Sequence, residues 1–165
     1  MKSNLVLWGW DKKKRTMLRY IKTGDVFCFQ YDEKTFCFGR IMLRKEKVAT
    51  IVEIFDYISD TPIICLEDID KSKRMFHPIN LDVYTLFDRK FEGEWRIIGH
   101  FENFVPINAD KLYFARGYPP TKKMDILGNE SVISEKEATP LLDLAHMGDP
   151  HVRELVKAYL QCNVT

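Results

Sequence analysis

The sequence predicts an α+β fold in which a curled, mainly antiparallel β-sheet is closed by C-terminal helices. Three observations carry this prediction. Aromatic and β-branched runs separated by short polar turns fill the first third of the chain, and a helical apolar pattern ends it. The 165 residues fit a single domain, 1–165, since about 150 residues is a typical domain length. A content of 45% apolar and 30% charged residues is typical of a globular chain and not of a disordered one.

Three antiparallel strands are predicted in the first third of the chain. The runs that favour strands are residues 26–31, 36–43 and 48–58. The Gly24-Asp25 pair before the first run is typical of a turn, because glycine adopts positive φ and aspartate bonds to nearby backbone. Gly39 lies inside the second run, which indicates a β-bulge or the close approach of another backbone or a large ring. Together these signals predict an antiparallel meander.

The middle of the chain is less regular. Residues 81–87 and 95–99 are predicted as two further strands. Residues 67–74 are charged, and a loop and a helical turn are both open for them. Proline and glycine residues mark the connections between these segments.

Two helices are predicted near the C-terminus. Thr139 caps the first, with Pro140 at its first position, and this helix runs to Gly148. Asp149 caps the second, with Pro150 at its first position. Apolar residues in the second helix recur at i, i+3, i+4, i+7 and i+8, which predicts a face packed on the core. These residues are Val152, Leu155, Val156, Tyr159 and Leu160.

The cysteines and the apolar runs constrain the compartment. None of the four cysteines forms a C-x-x-C pair, so no zinc site is predicted. Cys28 and Cys37 lie in strand-like runs and are predicted as free buried thiols, with a cross-strand disulfide between them as the alternative. No apolar run approaches the ~20 residues that span a bilayer, and the N-terminal residues have the wrong order for a secretory signal. A cytoplasmic protein without membrane contact is predicted.

The search for catalytic motifs is negative. Glycine-rich phosphate loops, the H-E-x-x-H zinc motif and the G-x-S-x-G nucleophile motif are absent from the sequence. His100 is the best catalytic candidate, with Cys37 or Glu102 as partner, but a histidine at a strand end more often makes a structural hydrogen bond. Glu92 and Glu94 flank a turn glycine, and a solvated hairpin tip is favoured over an acid–base pair. We predict no catalytic residue, no metal, no cofactor and no small-molecule substrate.

The charges are balanced in number but unevenly distributed. Lys and Arg total 25 and Asp and Glu total 24, and the net charge of +1 disfavours a nucleic-acid-binding module. Residues 12–22 carry six positive charges and no acid, whereas residues 48–70 carry six acids and no Lys or Arg. Because complementary charge speeds protein association, the acidic stretch is predicted to bind a basic protein. The predicted partner-binding residues are Asp56, Tyr57, Asp60, Glu67, Asp68 and Asp70.

Both charged stretches also have plainer explanations. Strand alternation places Glu53 on the face of Ile51 and Phe55, so Glu53 is expected to be partly buried and is the weakest member of the acidic stretch. The remaining acids can equally form a solvated loop. The basic stretch lies near tryptophan and tyrosine residues that suit phosphate contacts, but an ordinary solvated face is favoured for it.

The order of these segments resembles a known family. A basic segment leads through Gly24-Asp25 into an aromatic strand, over residues 15–29. A hairpin and a second strand with aromatic residues and glycine follow at 36–41, and a Trp-x-Ile-Ile-Gly strand lies at 95–99. In this arrangement the chain resembles immunity protein family twenty-six of bacterial polymorphic toxin systems, over roughly residues 12–100.

The resemblance implies a cytoplasmic, non-enzymatic protein that binds the C-terminal domain of a cognate toxin of contact-dependent growth inhibition. Many such toxins are nucleases, and the resemblance implies tight one-to-one binding that covers the active site or the substrate path. It assigns no binding residues. A nucleic-acid-binding module that uses residues 12–22 and the sheet aromatics is the alternative, and the near-neutral net charge counts against it. A small enzyme built around His100 is the third hypothesis.

Overall fold

The computed structural model describes residues 4–89, 94–107, 111–119 and 121–163. The strands are β1 Leu5–Leu7, β2 Asp25–Asp32, β3 Thr35–Lys45, β4 Ala49–Ser59, β5 Ile79–Leu81, β6 Trp95–Phe101, β7 Tyr113–Arg116, β8 Lys122–Asp125, β9 Glu130–Val132, β10 Leu142–Asp143 and β11 His146–Met147. The helices are α1 Leu66–Lys71, α2 Glu135–Ala138 and α3 Asp149–Cys162, and a 3-10 turn spans Leu18–Tyr20. The α+β prediction is confirmed.

The strands form two sheets. The main sheet has seven strands in the order β1-β6-β2-β3-β4-β5-β11, and the second has four in the order β10-β7-β8-β9. The predicted meander is confirmed, because β2, β3 and β4 are consecutive antiparallel neighbours. The predicted strand at 81–87 is wrong beyond Leu81, where β5 ends. The chain then turns through Thr85, which has a φ of 64°, while Phe87 stays buried.

Both faces of the main sheet are covered by hydrophobic packing. On one face, Phe29 stacks on Trp95 with ring centroids 4.1 Å apart, in the cluster that also contains Val152 and Val156 of α3. Cys37 belongs to that cluster, whereas Cys28 belongs to the cluster on the other face. The alternative of a Cys28–Cys37 disulfide is therefore wrong: both thiols are free and buried, and they point to opposite faces of the sheet.

Gly39 is required by the packing of a neighbouring ring. The pairing of β3 with β4 is irregular beside Gly39: Cys37 pairs with Ile58 and Gly39 with Ile54, so the extra residues lie on β4. A Cβ atom at Gly39 would lie 2.4 Å from Cζ of Phe27 and 2.5 Å from the carbonyl oxygen of Glu53. The predicted close approach to Gly39 is confirmed for both a large ring and a backbone, whereas the irregular pairing beside it is caused by extra residues on β4.

The C-terminal helix packs on the sheet through its predicted stripe, and Val152 and Val156 are fully buried. Its cap differs from the prediction, because Gly148 is the N-cap and Asp149 is the first helical residue. The carboxylate of Asp149 accepts hydrogen bonds from Trp95 Nε1 at 2.6 Å and from Arg153 at 2.9 Å, which removes it from a capping role. None of the helices in the described ranges is long and apolar enough to cross a membrane.

The predicted helix from Thr139 to Gly148 is wrong. Thr139 instead ends the short helix α2, which Ser134 caps. The following residues form β10 and β11, which pair in parallel with β7 and β5 and so connect the two sheets. Leu144 between them is buried in a cluster with Phe114 of the second sheet and Met42 of the main sheet. Pairing with two distant strands and burial of this leucine override the local helical pattern.

Candidate functional site

The six predicted partner-binding residues lie on neighbouring elements. Three of them lie in α1, two in the last part of β4 and one in the connection between these elements. α1 packs beside β4 through the buried Ile69, which shares a hydrophobic cluster with Phe55 of β4. We refer to these six residues on neighbouring elements as the acidic surface: Asp56, Tyr57, Asp60, Glu67, Asp68 and Asp70.

Asp68 fixes the start of α1. Its Oδ2 accepts hydrogen bonds from the backbone N–H of Cys65 at 3.0 Å and from the thiol of Cys65 at 2.9 Å. These bonds lower the pKa of the Asp68 carboxyl below its ordinary value of 3.8. Glu67 and Asp68 also place negative charge in the first turn, where the helix dipole favours it. Of the two structures open for residues 67–74, the helical one forms over 67–71, and residues 72–74 lie outside the helix.

Asp56 and Tyr57 are engaged within the protein. The Oδ1 atom of Asp56 accepts from the backbone N–H of Lys73 at 2.8 Å, and the N–H of Asp56 donates to the carbonyl oxygen of Lys73 at 2.9 Å. The ring of Tyr57 packs on Phe38 with centroids 5.5 Å apart. Burial, followed by the nearby carboxylate of Asp68, raises the pKa of Tyr57. These two residues hold the surface together and present only part of their side chains to solvent.

Three carboxylates of the acidic surface are exposed. Glu67 forms an ion pair with Lys71 at 2.5 Å, and both side chains are largely exposed, so solvent screens this pair. Asp60 and Asp70 are exposed and have no side-chain hydrogen bond or ion pair to any described residue. Asp60 and Asp70 are thus the members of the surface whose charge is fully available to a partner.

Glu53 does not belong to the acidic surface, in agreement with its predicted burial. It is 5% exposed, and its Oε1 accepts hydrogen bonds from Arg40 at 2.8 and 2.5 Å while its Oε2 accepts from Arg74 at 2.8 Å. The guanidinium of Arg40 also lies 4.2 Å from the ring centroid of Phe104. Glu53 is therefore the centre of a buried ionic cluster, in which the loss of one partner leaves uncompensated charge.

The residues after α1 make the acidic surface less negative than the sequence count predicts. Lys71 ends α1, and the backbone of Lys73 bonds to Asp56. Arg74 forms a bridge with Phe55, so the chain returns along β4. Three cations consequently border the carboxylates, although none of them lies inside the acidic stretch of the sequence.

An apolar groove adjoins the acidic surface and has no counterpart in the sequence-based prediction. It has a volume of about 710 Å³ and lies between residues 7–12 and 61–64. Trp10 lines one side of it. On the other side Ile63 is 68% exposed, while its neighbour Ile64 is buried. The sequence signal that could have predicted this groove is a proline followed by two isoleucines. The proline ends the strand, and one of the two isoleucines is then left outside the core.

His100 binds Asp25 and neither of the two partners considered from the sequence. His100 Nδ1 and Asp25 Oδ1 are 2.9 Å apart, and these residues face each other across β2 and β6. Burial raises the pKa of Asp25, against the hydrogen bonds that lower it. Cys37 lies in a hydrophobic cluster, where burial raises the pKa of its thiol to about 12, so it stays a thiol near neutral pH. The His100–Asp25 pair therefore closes a strand pairing and has no activated cysteine beside it.

Among the described residues, the other chemical groups considered from the sequence form no site. Glu94 forms an ion pair with Arg153 at 2.5 Å, and Glu92 lies outside the described residues. Among the described residues, no group of three or more His, Cys, Asp or Glu side chains is arranged to hold a metal ion.

The central phenylalanines of the main sheet are not available as a stacking surface. Phe27, Phe29 and Phe38 are fully buried between the sheet and the layers that cover it. A nucleic-acid module of the kind considered from the sequence needs exposed rings on which bases stack. Phe27, Phe29 and Phe38 therefore cannot serve as such rings.

Comparison with known proteins gives one family match. The family model described as Immunity protein 26 matches residues 22–119, which is more than half of the chain. The matched range includes the acidic surface, the buried cluster around Glu53 and strands β2 to β7. No curated protein and no solved structure matches the chain.

Proposed function

The chain belongs to the immunity protein 26 family, and on that basis we propose that it binds one cognate toxin domain and neutralises it. The family match over residues 22–119 is the observation that carries this proposal. In the finer form, the partner is the C-terminal nuclease domain of a contact-dependent growth inhibition toxin. The protein acts in the cytoplasm as one domain, forms a one-to-one heterodimer and blocks the active site or the substrate path without catalysing a reaction.

We place the docking site on the acidic surface together with the apolar groove beside it. A nuclease needs a basic cleft to hold phosphates, so carboxylates are the groups expected to occupy that cleft. Asp60 and Asp70 supply charge that no described residue neutralises. Ile63, exposed next to Asp60, supplies the apolar contact around which protein interfaces usually form. The combination of a free charge and an exposed apolar anchor favours this surface.

The remaining members of the acidic surface hold the binding residues in position, and they are not the first groups to contact the partner. Asp68 fixes the start of α1, and Asp56 holds the chain that leaves it. Because both carboxylates are used by backbone N–H groups, they set the position of α1 against β4. Rigid placement of Asp60 and Asp70 before binding lowers the entropy lost on association.

Calorimetric titration with the toxin domain encoded by the adjacent upstream gene tests the proposal. We expect a one-to-one complex with a Kd of about 1 nM or lower, which corresponds to roughly −12 kcal/mol. A Kd weaker than about 1 μM contradicts neutralisation by tight binding. The Ile63→Asp variant should weaken binding by about ten-fold or more, because it places a charge at the apolar anchor.

A matched control separates the docking site from general surface effects. Val132 is 65% exposed and lies in β9 of the second sheet, away from α1. Val132→Asp makes the same chemical change as Ile63→Asp and should leave toxin affinity unchanged. Equal effects of the two substitutions would place the docking site elsewhere.

A further inference from the structure

A second groove lies at the opposite end of the β3–β4 hairpin from the acidic surface. It has a volume of about 810 Å³ and is formed by the 3-10 turn Leu18–Tyr20, the turn between β3 and β4, and the chain that follows β5. Grooves of a few hundred to about 1,000 Å³ are the usual size of small-molecule sites. We call it the cationic groove, and its role is independent of the proposed toxin contact.

Four cations line the cationic groove and none of them forms a salt bridge with a described residue. They are Arg19, Lys22, Arg44 and Lys47. The carboxylates that line the groove are Glu46 and Asp82, which leaves an excess of positive charge. Elsewhere in the described chain, arginines such as Arg40, Arg74 and Arg153 reach carboxylates within 2.9 Å. Unpaired cations concentrated in one concave site are suited to a polyanionic group.

Arg44 is held in place before any ligand arrives. Its Nη1 donates to the hydroxyl of Thr50 at 2.8 Å, and its backbone N–H donates to the hydroxyl of Thr23 at 2.9 Å. Thr50 is 2% exposed, and its own N–H donates to Asn80 Oδ1 at 2.9 Å. The remaining N–H groups of the Arg44 guanidinium bond to no described residue. Arginine fixed in this way presents the planar array of donors that recognises phosphate oxygens.

The groove also offers surfaces for a flat apolar ring. Ile21, Ala49 and Leu81 form buried parts of its lining, and Val83 continues them. Tyr84 lies in the same lining and is 70% exposed. An exposed aromatic ring next to cations is the arrangement on which a nucleobase stacks while its phosphates contact the charges.

We propose that the cationic groove binds a nucleoside diphosphate, with the phosphates against Arg44, Lys22 and Lys47 and the base against Tyr84. The site binds a ligand and is assigned no reaction. This departs from the sequence-based interpretation, in which the basic residues were a solvated face and no small molecule was expected. Lys22 comes from the basic stretch of residues 12–22, Arg44 comes from the end of β3, and Lys47 comes from the β3–β4 turn.

Titration calorimetry of the intact protein with ADP tests the proposal, with inorganic pyrophosphate as the second probe. ADP should bind with a Kd below about 1 mM, and the Lys22→Gln/Lys47→Gln double variant should weaken it by about ten-fold. Tyr84→Ala should weaken ADP by about ten-fold and leave pyrophosphate unchanged, because only the nucleotide has a base to stack. Absence of ADP binding at 1 mM, or equal affinities for ADP and pyrophosphate, overturns the assignment.

Control variants distinguish ADP binding in the cationic groove from a nonspecific effect of charge and from toxin binding. Lys34→Gln removes a positive charge at the β2–β3 turn, at the far end of β3, and should leave ADP affinity unchanged. Arg44→Gln should weaken both probes, and if that variant fails to fold, the two exposed lysines still decide the question. A short single-stranded RNA that binds more tightly than ADP by more than ten-fold would replace the mononucleotide with a nucleic acid and so overturn the proposal. Toxin affinity of the double lysine variant should equal that of the wild type, whatever the outcome with ADP.

Discussion

The two ends of the β3–β4 hairpin carry opposite charge and differ in how that charge is used. At the acidic surface, Asp56 and Asp68 accept backbone hydrogen bonds, and Glu67 pairs with a lysine. At the cationic groove, the four basic side chains form no salt bridge with any described residue. Two of the five carboxylates, Asp56 and Asp68, therefore stabilise the fold, whereas the basic charge of the groove remains available to a ligand.

Distance allows the two ends to act separately. β4 runs from the cationic groove to the acidic surface over 11 residues, and at about 3.3 Å per residue this places its ends roughly 30 Å apart. The screening length at physiological ionic strength is about 8 Å, so charge at one end has little effect on a ligand at the other. A count of charges along the sequence does not show this, because it records neither the partners nor the separation.

The largest effect on stability is expected from Glu53→Ala, which removes the carboxylate at the centre of the buried ionic cluster. Arg40 and Arg74 then lose the carboxylate that both of them contact. Because these guanidinium groups are only partly exposed, the free energy of unfolding should fall by about 3 kcal/mol. Urea denaturation of the variant and the wild type measures the difference.

Glu67→Ala is the matched control, since Glu67 also pairs with a cation but in an exposed site. Its loss should change the free energy of unfolding by no more than about 0.5 kcal/mol. Similar losses for the two variants would show that burial does not separate Glu53 from the acidic surface.

The sequence predicted the part of the fold that depends on neighbouring residues. Alternating apolar residues and short turns define β2, β3 and β4, and the apolar stripe of α3 follows from helical spacing. The segment between Thr139 and Gly148 has a local helical pattern, yet it forms strands, because its hydrogen-bond partners lie in β5 and β7. Such long-range pairing cannot be deduced from local spacing.

The same distinction applies to the candidate sites. The acidic surface stays a prediction, drawn from elements that are adjacent in the sequence, whereas the predicted burial of Glu53 is confirmed and followed from strand alternation. The cationic groove could not be predicted, since Lys22, Arg44 and Tyr84 come from three distant segments. The sequence analysis also missed the cations that border the acidic surface. The charges were counted over residues 48–70, and these cations follow that stretch, where the chain returns along β4.

The second-largest effect is expected from the two exposed and unpaired carboxylates of the acidic surface, those of Asp60 and Asp70. The Asp60→Lys/Asp70→Lys variant should slow association with the toxin domain by about ten-fold or more at low salt, and its rate should depend less on ionic strength. These two carboxylates are the appropriate choice, since neither bonds to a described residue and their replacement leaves the start of α1 intact. Stopped-flow measurements over a range of salt concentrations give both quantities.

Glu154→Lys provides the control for that experiment. Glu154 is exposed on α3, which covers the face of the main sheet opposite to α1. Reversal of its charge should leave the association rate near that of the wild type. Unchanged rates in a folded Asp60→Lys/Asp70→Lys variant would move the docking site to another surface, with the side of residues 12–22 as the next candidate.

The smallest effect is expected from Asp68 and appears as a dependence on pH. The hydrogen bonds from Cys65 lower the pKa of this carboxyl below 3.8 in the folded protein, so the charged form favours folding. Its contribution is present above the ordinary pKa of the unfolded chain and is lost as the pH falls through the lowered value. Asp68→Asn keeps the shape of the side chain and removes the titration. Urea denaturation between about pH 6 and pH 2 should therefore show a larger loss of stability for the wild type than for the variant. Parallel pH profiles for the two proteins would mean that the Cys65 bonds do not favour the charged carboxylate, and that the start of α1 is held by the packing of Ile69 alone.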